Sequence, residues 1–299
     1  MKKNKIWAYD RYSRNQVIKH GVKKVLIKTK TKFQEIEILD LFNFGVSIFM
    51  DKIPQSSSID EWIYHECLVH PAMSFIKKKK ELKILVLGTG EGATLREVLK
   101  YPGVDKVVSV DIDKEAVEIF KEKLPFMHKN SFYDKRVDLV YGNAVDFLGQ
   151  IDKKFDIIIS DITSQDHFGL GSDINREKSN FYELVGKRLK RGGVFVLHVE
   201  ELGDINFDKY LNFKSVVDNF FNFSYSYRVL VPFFMRYWGF LILSNDLAIN
   251  PFEMKIEKVT RLIEERKAKS LRYINPRTLL ALFSFPEEIK KKLATRYVV

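Results

Sequence analysis

The chain has 299 residues, and 45% are hydrophobic, which is enough for one large domain or a main domain with a small appendage. Its single cysteine excludes an internal disulfide and fits a reducing compartment, so we expect a cytoplasmic protein. The formal net charge of +11 is carried by mixed-sign segments typical of a heat-adapted surface, so we predict no nucleic-acid partner. No apolar run follows the basic N-terminus, and Pro232 and Arg236 interrupt residues 229–243, so we predict no signal peptide and no membrane span.

Apolar residues that alternate between positions 6 and 50 predict a small antiparallel sheet. The alternation is clearest in Lys24–Thr29, Gln34–Leu39 and Val46–Met50, which turn residues separate. A helix is predicted from Asp60 to Ile76, with Asp60 as its N-cap. Its predicted apolar face is Ile63, Cys67, Val69 and Phe75. We therefore assign residues 1–60 to an N-terminal β-sheet domain.

After Lys80, predicted strands alternate with predicted helices. The strands are 83–87, 107–110, 137–141, 155–160 and 194–199, and the helices lie near 91–100, 114–124 and 180–189. Residues 224–230 and 238–243 are a strand pair that closes one sheet edge antiparallel, and the tail from Phe252 is mostly helical. This alternation predicts an α/β fold with a Rossmann-like, mostly parallel sheet in residues 61–299.

The turn after the first of these strands carries the strongest functional signal. Apolar residues 84–87 lead into Gly88-Thr-Gly-Glu-Gly92, and the next strand ends on Asp111. Gly88 and Gly90 allow a sharp turn and a close approach to a ligand. A carboxylate about twenty residues later accepts hydrogen bonds from ribose hydroxyls. The order predicts a nucleoside site at Gly88, Gly90 and Asp111, although Asp111 also suits a strand-end acid that caps the next helix.

Four sequence blocks, in order and well spaced, identify a family. They are Asp51–Glu66, which ends in Tyr-His-Glu, Gly88–Pro102, Val110-Asp-Ile-Asp113, and Leu271-Arg-Tyr-Ile-Asn275 with Phe283-Ser-Phe-Pro286. Nearly end to end, the chain resembles the polyamine aminopropyltransferases, which include spermidine synthase. The resemblance implies transfer of an aminopropyl group from decarboxylated S-adenosylmethionine to a polyamine acceptor, with methylthioadenosine as the leaving group. It also implies no metal and no further cofactor, small-molecule substrates, and a homodimer or homotetramer.

The resemblance assigns further donor-binding residues. Glu91 and Gln34 are placed near the aminopropyl ammonium, Gln55 beside the ribose acid, and Asn143 against the adenine amino group, where the family usually has Asp. Glu91 also suits a first-turn helix acid, Gln34 an ordinary polar strand residue, and Asn143 a turn asparagine. An acid at position 91 repels the carboxylate of S-adenosylmethionine and favours the decarboxylated donor.

Asp161 is the predicted catalytic base, because it follows the apolar strand 155–160 at the edge where such sheets bind ligands. By resemblance it accepts the proton of the attacking amine, and Tyr64 lies beside it and also contacts the acceptor. The alternatives are a capping acid for Asp161 and a packed aromatic for Tyr64. His65 and His70 are interpreted as structural, and their spacing does not predict a metal site.

The acceptor side departs from the family. Ser164 and Gln165 replace a second acid and a proline, and Asp166 stands two residues late. We expect the loop up to Phe181 to be a few residues longer than is usual in the family. Phe233 and Phe234 stand where an acceptor-contacting tyrosine is common, so we predict Ser164, Phe233 and Phe234 as acceptor-binding residues.

Glu200 or Glu201 is a candidate partner for a distal ammonium. The alternative for the aromatics and these acids is a buried core and a surface acid pair. Putrescine is the default acceptor, and a longer amine or agmatine remains open.

Two other functions share these motifs. An S-adenosylmethionine-dependent methyltransferase uses the same sheet and ribose acid, but no obvious Arg or Lys near Glu91 accommodates a carboxylate. A catalytically silent paralogue that binds the nucleoside is supported by the altered Ser164-Gln165 segment and opposed by the retained Asp161, Tyr64 and Glu91.

Overall fold

The N-terminal part of the protein is a five-stranded antiparallel sheet in the order β1-β2-β3-β4-β5. The structure, a computed structural model, describes residues 6–13, 15–162, 174–203, 207–246 and 250–294. The strands are β1 (Ile6–Ser13), β2 (Gln16–Lys30), β3 (Glu35–Leu41), β4 (Gly45–Met50) and β5 (Ile53–Ser57). The predicted alternation marked parts of β2, β3 and β4 but not β1 or β5, whose residues do not alternate cleanly.

The main sheet has seven strands in the order β11-β12-β10-β9-β6-β7-β8. They are β6 (Leu82–Leu87), β7 (Val104–Asp111), β8 (Val137–Tyr141), β9 (Phe155–Ser160), β10 (Leu189–Glu201), β11 (Phe223–Val231) and β12 (Arg236–Ser244). Strands β6 to β10 pair in parallel, and β11 and β12 close one edge antiparallel. The predicted α/β Rossmann-like fold with an N-terminal antiparallel sheet is confirmed.

Helices connect and cover these strands. They are α1 (Glu61–Phe75), α2 (Ala93–Leu99), α3 (Lys114–Lys123), α4 (Pro125–His128), α5 (Ala144–Gln150), α6 (Ile174–Arg188), α7 (Phe207–Val217), α8 (Ile256–Arg266), α9 (Pro276–Leu282) and α10 (Glu287–Ala294). The tail is helical, as predicted, but divided into the short segments α8 to α10. In the part of the chain that the structure describes, no helix is long and apolar enough to cross a membrane.

Both faces of the main sheet are buried, because successive residues of β6 point to opposite sides. Ile84 and Val86 join the hydrophobic cluster that includes α1, whereas Leu85 and Leu87 join the cluster that includes Tyr182 of α6. A third cluster joins the small sheet to α3, the helix that follows β7, because Ile36 and other side chains of the small sheet pack on Phe120 of α3. This contact holds the turn between β2 and β3 beside the carboxyl end of β7.

The start of α1 corrects one prediction. Asp60 precedes the helix, but its side chain makes no capping hydrogen bond to α1. Its carboxylate instead accepts hydrogen bonds from the Ser57 hydroxyl at 2.6 Å and from the backbone N–H of Phe233 at 2.6 Å. A long-range partner therefore replaced the local one, and Asp60 joins the small sheet to the turn between β11 and β12.

Candidate active site

The carboxyl ends of β6, β7 and β9 lie side by side, and most of the predicted site residues gather there. Gly88 follows β6, Asp111 ends β7 and Asp161 follows β9, with β6 between the other two strands. Backbone hydrogen bonds attach the turn after β6 to the ends of β7 and β9. The N–H of Gly88 donates to the carbonyl of Val110 at 2.8 Å, and the N–H of Asp161 donates to the carbonyl of Leu87 at 2.7 Å. This edge of an open α/β sheet is where ligands bind.

The turn requires glycine at position 88. Gly88 has φ +86°, and a Cβ built on it would lie 2.7 Å from the carbonyl carbon of Asp161. Gly90 differs, because it has φ +49° and a Cβ there would meet open space. Gly88 therefore lets the backbone pass close to the predicted base, whereas Gly90 leaves room in front of the turn.

Asp111 is oriented by the glycine turn. One carboxylate oxygen accepts hydrogen bonds from the backbone N–H groups of Thr89 at 2.7 Å and Gly90 at 3.1 Å. The other oxygen accepts from the N–H of Asp113 at 2.8 Å. Burial raises the pKa of Asp111 despite these hydrogen bonds, which favour the charged form. The predicted ribose acid is thus held rigidly at the end of β7.

The other predicted donor-binding residues differ in their contacts. Gln34 reaches the same region, since its amide Nε2 donates to Asp113 at 3.0 Å. Gln55 lies on β5, and its amide donates to the carbonyl of Ile53 at 3.2 Å. The carbonyl oxygen of Asn143 accepts from the N–H groups of Val145 at 2.7 Å and Asp146 at 3.2 Å, which caps α5. These contacts are those of a turn asparagine, which is the alternative interpretation of Asn143.

Asp161 is held at both carboxylate oxygens. The Tyr64 hydroxyl donates to Oδ1 at 2.7 Å, and the Thr94 hydroxyl donates to Oδ2 at 2.5 Å. Burial, together with the negative charge of Asp161, raises the pKa of Tyr64 well above its usual value, so the phenol stays protonated as a donor. The structure thus brings Tyr64 and Asp161 together, as expected. Thr94 was not singled out, although its position in the first turn of the helix after the glycines was a usable signal.

Glu91 lies in the glycine turn beside a buried charge network. Its Oε1 lies 3.4 Å from Nε2 of His65, whose Nδ1 lies 2.9 Å from Glu61. Arg96 in turn donates to Glu61 at 2.8 Å. Burial raises the pKa of Glu91, the cationic form of His65 opposes this shift, and the charge of Asp161 adds to it.

His65, interpreted from the sequence as structural, lies against a predicted site residue, Glu91. Burial lowers the pKa of His65, but its hydrogen bond to Glu61 and the charges of Glu91 and Glu61 outweigh burial and raise the pKa to about 9. His70 does have the contacts of a structural residue, since its ring nitrogens lie 2.7 Å from the Tyr101 hydroxyl and 2.9 Å from Glu97.

An aromatic wall stands beside Tyr64. The ring of Phe234 lies 6.3 Å from that of Tyr64 and 4.6 Å from that of Trp238, measured between ring centroids. Phe233 packs elsewhere, with its ring 5.0 Å from Phe44 and 5.4 Å from His20. Phe234 is thus next to Tyr64, which donates to the predicted base. Phe233 is 1% exposed and packs as a core aromatic, which is the alternative interpretation.

Several predictions for the acceptor side concern side chains that the structure does not describe. Ser164, Gln165 and Asp166 lie outside the described residues, as does the side chain of Glu200. Glu201 is described and pairs across the sheet with Trp238.

Glu66, His70 and Glu97 form a buried group with a spacing that suits a metal ion. Protein donors already occupy it: Glu66 accepts from the backbone N–H groups of Tyr273 and Ile274, and Glu97 pairs with Lys100 at 2.6 Å. This group is therefore a hydrogen-bonded ion network, and its donors leave little need for a cation.

Known proteins resemble this chain over most of its length. The profile of the spermine/spermidine synthase domain matches residues 61–253. A polyamine aminopropyltransferase of a Synechococcus strain is 31% identical over 99% of this chain and 96% of its own length. Another polyamine aminopropyltransferase, from Aeropyrum pernix, is 32% identical over 93% of this chain and 87% of its own length.

Solved structures agree with these relatives. Spermidine synthase from Thermotoga maritima has a TM-score of 0.83 and 26% identity, over 98% of this chain and 96% of that one. A spermidine synthase in complex with the transition-state analogue AdoDATO has a TM-score of 0.84 and 26% identity, with the same coverage. The chain therefore belongs to the spermine/spermidine synthase family and is a transferase.

Proposed function

We propose that the chain transfers the aminopropyl group of decarboxylated S-adenosylmethionine to an amine, with putrescine as the first acceptor to test. The acceptor nitrogen attacks the methylene carbon bonded to the sulfonium. A nitrogen–carbon bond forms, the carbon–sulfur bond breaks, and its electron pair stays on sulfur as methylthioadenosine leaves. The proton released by the amine goes to the carboxylate of Asp161. No metal or additional cofactor takes part in this scheme.

One observation carries the proposal: Oε1 of Glu91 is buried and makes no hydrogen bond to the described residues, and the cationic His65 lies 3.4 Å away, too far for a strong hydrogen bond. A buried acceptor of this kind has an unmet need for a donor. The aminopropyl ammonium of the decarboxylated donor meets that need with a charge-assisted hydrogen bond. The same position repels the carboxylate of S-adenosylmethionine, so it favours aminopropyl transfer over methyl transfer.

The remaining donor roles follow from the same arrangement. Asp111, oriented by the glycine turn, accepts the ribose hydroxyls, with Gln55 as a helper on β5. Gly90 leaves room for the nucleoside, and Gln34 faces the aminopropyl arm. The side-chain oxygen of Asn143 accepts hydrogen bonds from two N–H groups of α5, which uses both of its lone pairs, so only the N–H groups of Asn143 remain for adenine.

Asp161 acts as the base in this proposal. The two hydroxyl donors, Tyr64 and Thr94, fix the carboxylate in one orientation, which keeps its basic oxygen aligned with the incoming amine. Alignment and proton removal are the main needs of this reaction, because the sulfonium is already a good leaving group. Because Asp161 and both of its hydroxyl donors are present, this arrangement argues against a catalytically silent paralogue.

The acceptor proposal rests on the wall formed by Tyr64, Phe234 and Trp238. Aromatic faces suit the methylenes and the ammonium groups of a diamine or polyamine. Spermidine and agmatine therefore stay as acceptors to test beside putrescine. We further propose a cytoplasmic homodimer or homotetramer, supported by the exposed apolar side chains Trp7 and Phe42 on the small sheet, which are 41% and 63% exposed.

A mass-spectrometric assay tests the proposal. The protein is incubated with decarboxylated S-adenosylmethionine and, separately, with putrescine, agmatine, spermidine and norspermidine. We expect one amine to gain a single aminopropyl group and methylthioadenosine to form in equal amount, with both signals lost in Asp161→Asn. In a parallel incubation with S-adenosylmethionine, transfer of a methyl group supports the methyltransferase alternative. Binding of methylthioadenosine without any transfer supports the silent paralogue.

A further inference from the structure

Asp113 joins the two sheets at the predicted donor site. Its side chain is 3% exposed. Oδ1 accepts from the backbone N–H of Ala116 at 3.0 Å and caps α3. Oδ2 accepts from the Thr31 hydroxyl at 2.6 Å and from Nε2 of Gln34 at 3.0 Å. The carboxylate therefore holds the turn between β2 and β3 by hydrogen bonds, close to the end of β7.

The hydrogen bond to Asp113 determines the orientation of the Gln34 amide group. A carboxylate oxygen accepts hydrogen bonds and cannot donate them, so the atom of Gln34 that contacts Asp113 has to be the NH₂ group. The carbonyl oxygen of the same planar amide then points away from Asp113 and remains available as an acceptor. The backbone of Gln34 is also fixed, because its N–H donates to the Thr31 hydroxyl at 3.2 Å and its carbonyl accepts from the N–H of Thr31 at 2.9 Å.

Asp113 is also linked to the predicted ribose acid. Its backbone N–H donates to Oδ1 of Asp111 at 2.8 Å. Gln34 is thus two hydrogen-bonded steps from Asp111, and the side chain and backbone of Asp113 set both residues in place. The amide group of Gln34 therefore lies close to Asp111, at the predicted nucleoside site.

We propose that Asp113 is a positioning residue that selects a cationic donor arm by holding the Gln34 amide with its oxygen toward the site. An amide oxygen accepts a hydrogen bond from an ammonium group, whereas an amide NH₂ group in its place would repel it. This inference deepens the proposed function and rests on it. Asp113 touches neither donor nor acceptor in this proposal, because it acts through Gln34.

Asp113→Asn inverts the polarity of this contact while leaving α3 capped, because Asn is as good an N-cap as Asp. The asparagine oxygen stays on Ala116, so its NH₂ group faces Gln34 and the Gln34 amide turns over. Calorimetric titration then compares two probes, decarboxylated S-adenosylmethionine and methylthioadenosine, which lacks the ammonium arm. We expect affinity for the decarboxylated donor to fall about tenfold and affinity for methylthioadenosine to change less than about twofold.

Two further variants show whether Asp113 acts through Gln34. Gln34→Met removes the amide and should reproduce the selective loss, and Asp113→Asn added to Gln34→Met should cause no further loss. Asp113→Ser keeps a capping side chain but does not reach Gln34, so it should give a smaller selective loss and serves if the asparagine variant does not fold. An equal loss of affinity for both probes, or additive effects in the double variant, would overturn the inference.

The wild-type protein separates this inference from the proposed function. If it does not bind decarboxylated S-adenosylmethionine more tightly than S-adenosylmethionine, the proposed function fails. If it shows that preference and Asp113→Asn keeps the preference unchanged, the function stands and the role of Asp113 is wrong.

Discussion

Glu66 on α1 accepts a 2.7 Å hydrogen bond from the backbone N–H of Tyr273. The same carboxylate accepts from the N–H groups of Arg272 at 2.7 Å and Ile274 at 3.0 Å. Two sequence blocks that are far apart in the chain are therefore one structural unit, in which the first block supplies the acceptor and the last block supplies the donors. Tyr64, two residues before Glu66, contacts the predicted base, so this anchor also fixes the helix that carries part of the site.

The anchor predicts a large loss of stability for Glu66→Gln. The side chain is fully buried, and an amide has only one oxygen, so its NH₂ group would face backbone N–H groups and leave one of them without a partner. We expect the free energy of unfolding to fall by about 2–4 kcal/mol, measured by denaturant unfolding. Glu264→Gln, on an exposed part of α8, is the matched control and should change it by less than about 0.5 kcal/mol. Equal stability of the two variants would show that the anchor contributes nothing.

Thr94 offers a test of how Asp161 is held. Thr94→Val keeps the shape of the side chain but removes the donor to Oδ2, so the carboxylate loses one of its two fixed contacts. We expect kcat for aminopropyl transfer to fall about tenfold to a hundredfold, with little change in the affinity for methylthioadenosine. Thr94→Ser restores the hydroxyl and should recover most of kcat. A valine variant with wild-type kcat would mean that Tyr64 alone orients Asp161.

His65 predicts a pH dependence of stability. Its pKa is about 9 in the folded protein and 6.5 as the ordinary value, so the folded state binds the proton more tightly. The stabilisation is therefore fully present below pH 6.5 and is lost as the pH rises through about 9. Since a tenfold difference in proton affinity is about 1.4 kcal/mol, the contribution is on the order of 3 kcal/mol.

Denaturant unfolding of the wild type and of His65→Gln between about pH 6 and pH 10 measures this contribution. Glutamine does not titrate, so the difference in stability between the two proteins should shrink as the pH rises. The charged groups that face His65, which are Glu61, Glu91 and Asp161, are present in both proteins, so the two proteins differ only in the titrating group at position 65. Parallel stability curves would show that His65 is neutral in the folded state.

The main sheet and its glycine turn were predictable because their signals are local. Runs rich in apolar residues indicated the parallel strands, and the glycines of the segment 88–92, which have positive φ in the structure, indicated the turn. Asp111 and Asp161 followed as acids at strand ends. The long strand β2 was harder to delimit, because lysines and apolar residues mix along it and much of its surface is exposed.

Residues whose roles depend on distant partners were not predictable. The Asp60 carboxylate accepts from the backbone of Phe233 and does not cap α1, and Thr94 contacts Asp161, which lies 67 positions later in the chain. Asn143 shows the opposite case, because two local N–H groups compete for the oxygen that adenine was expected to use. The sequence allowed both an adenine-binding and a turn asparagine at position 143, and the order of residues alone could not decide between them.

Gly88 and Gly90 provide a paired test of the glycine turn. A Cβ at position 88 would push against the backbone of Asp161, so Gly88→Ala has to move the predicted base. We expect kcat to fall about a hundredfold and the free energy of unfolding to fall by about 1–3 kcal/mol. Gly90→Ala meets open space in the protein and should cost about 1–2 kcal/mol of stability, from its positive φ alone.

The two variants should also differ in ligand binding. The methyl group of Gly90→Ala would occupy the space in front of the turn where the nucleoside is proposed to lie, so affinity for methylthioadenosine should fall about tenfold, as calorimetry can measure. Gly88→Ala should impair turnover more than this affinity, because its methyl group points at Asp161 and not at the open space. If Gly90→Ala binds methylthioadenosine as tightly as the wild type, the nucleoside does not approach the turn at Gly90.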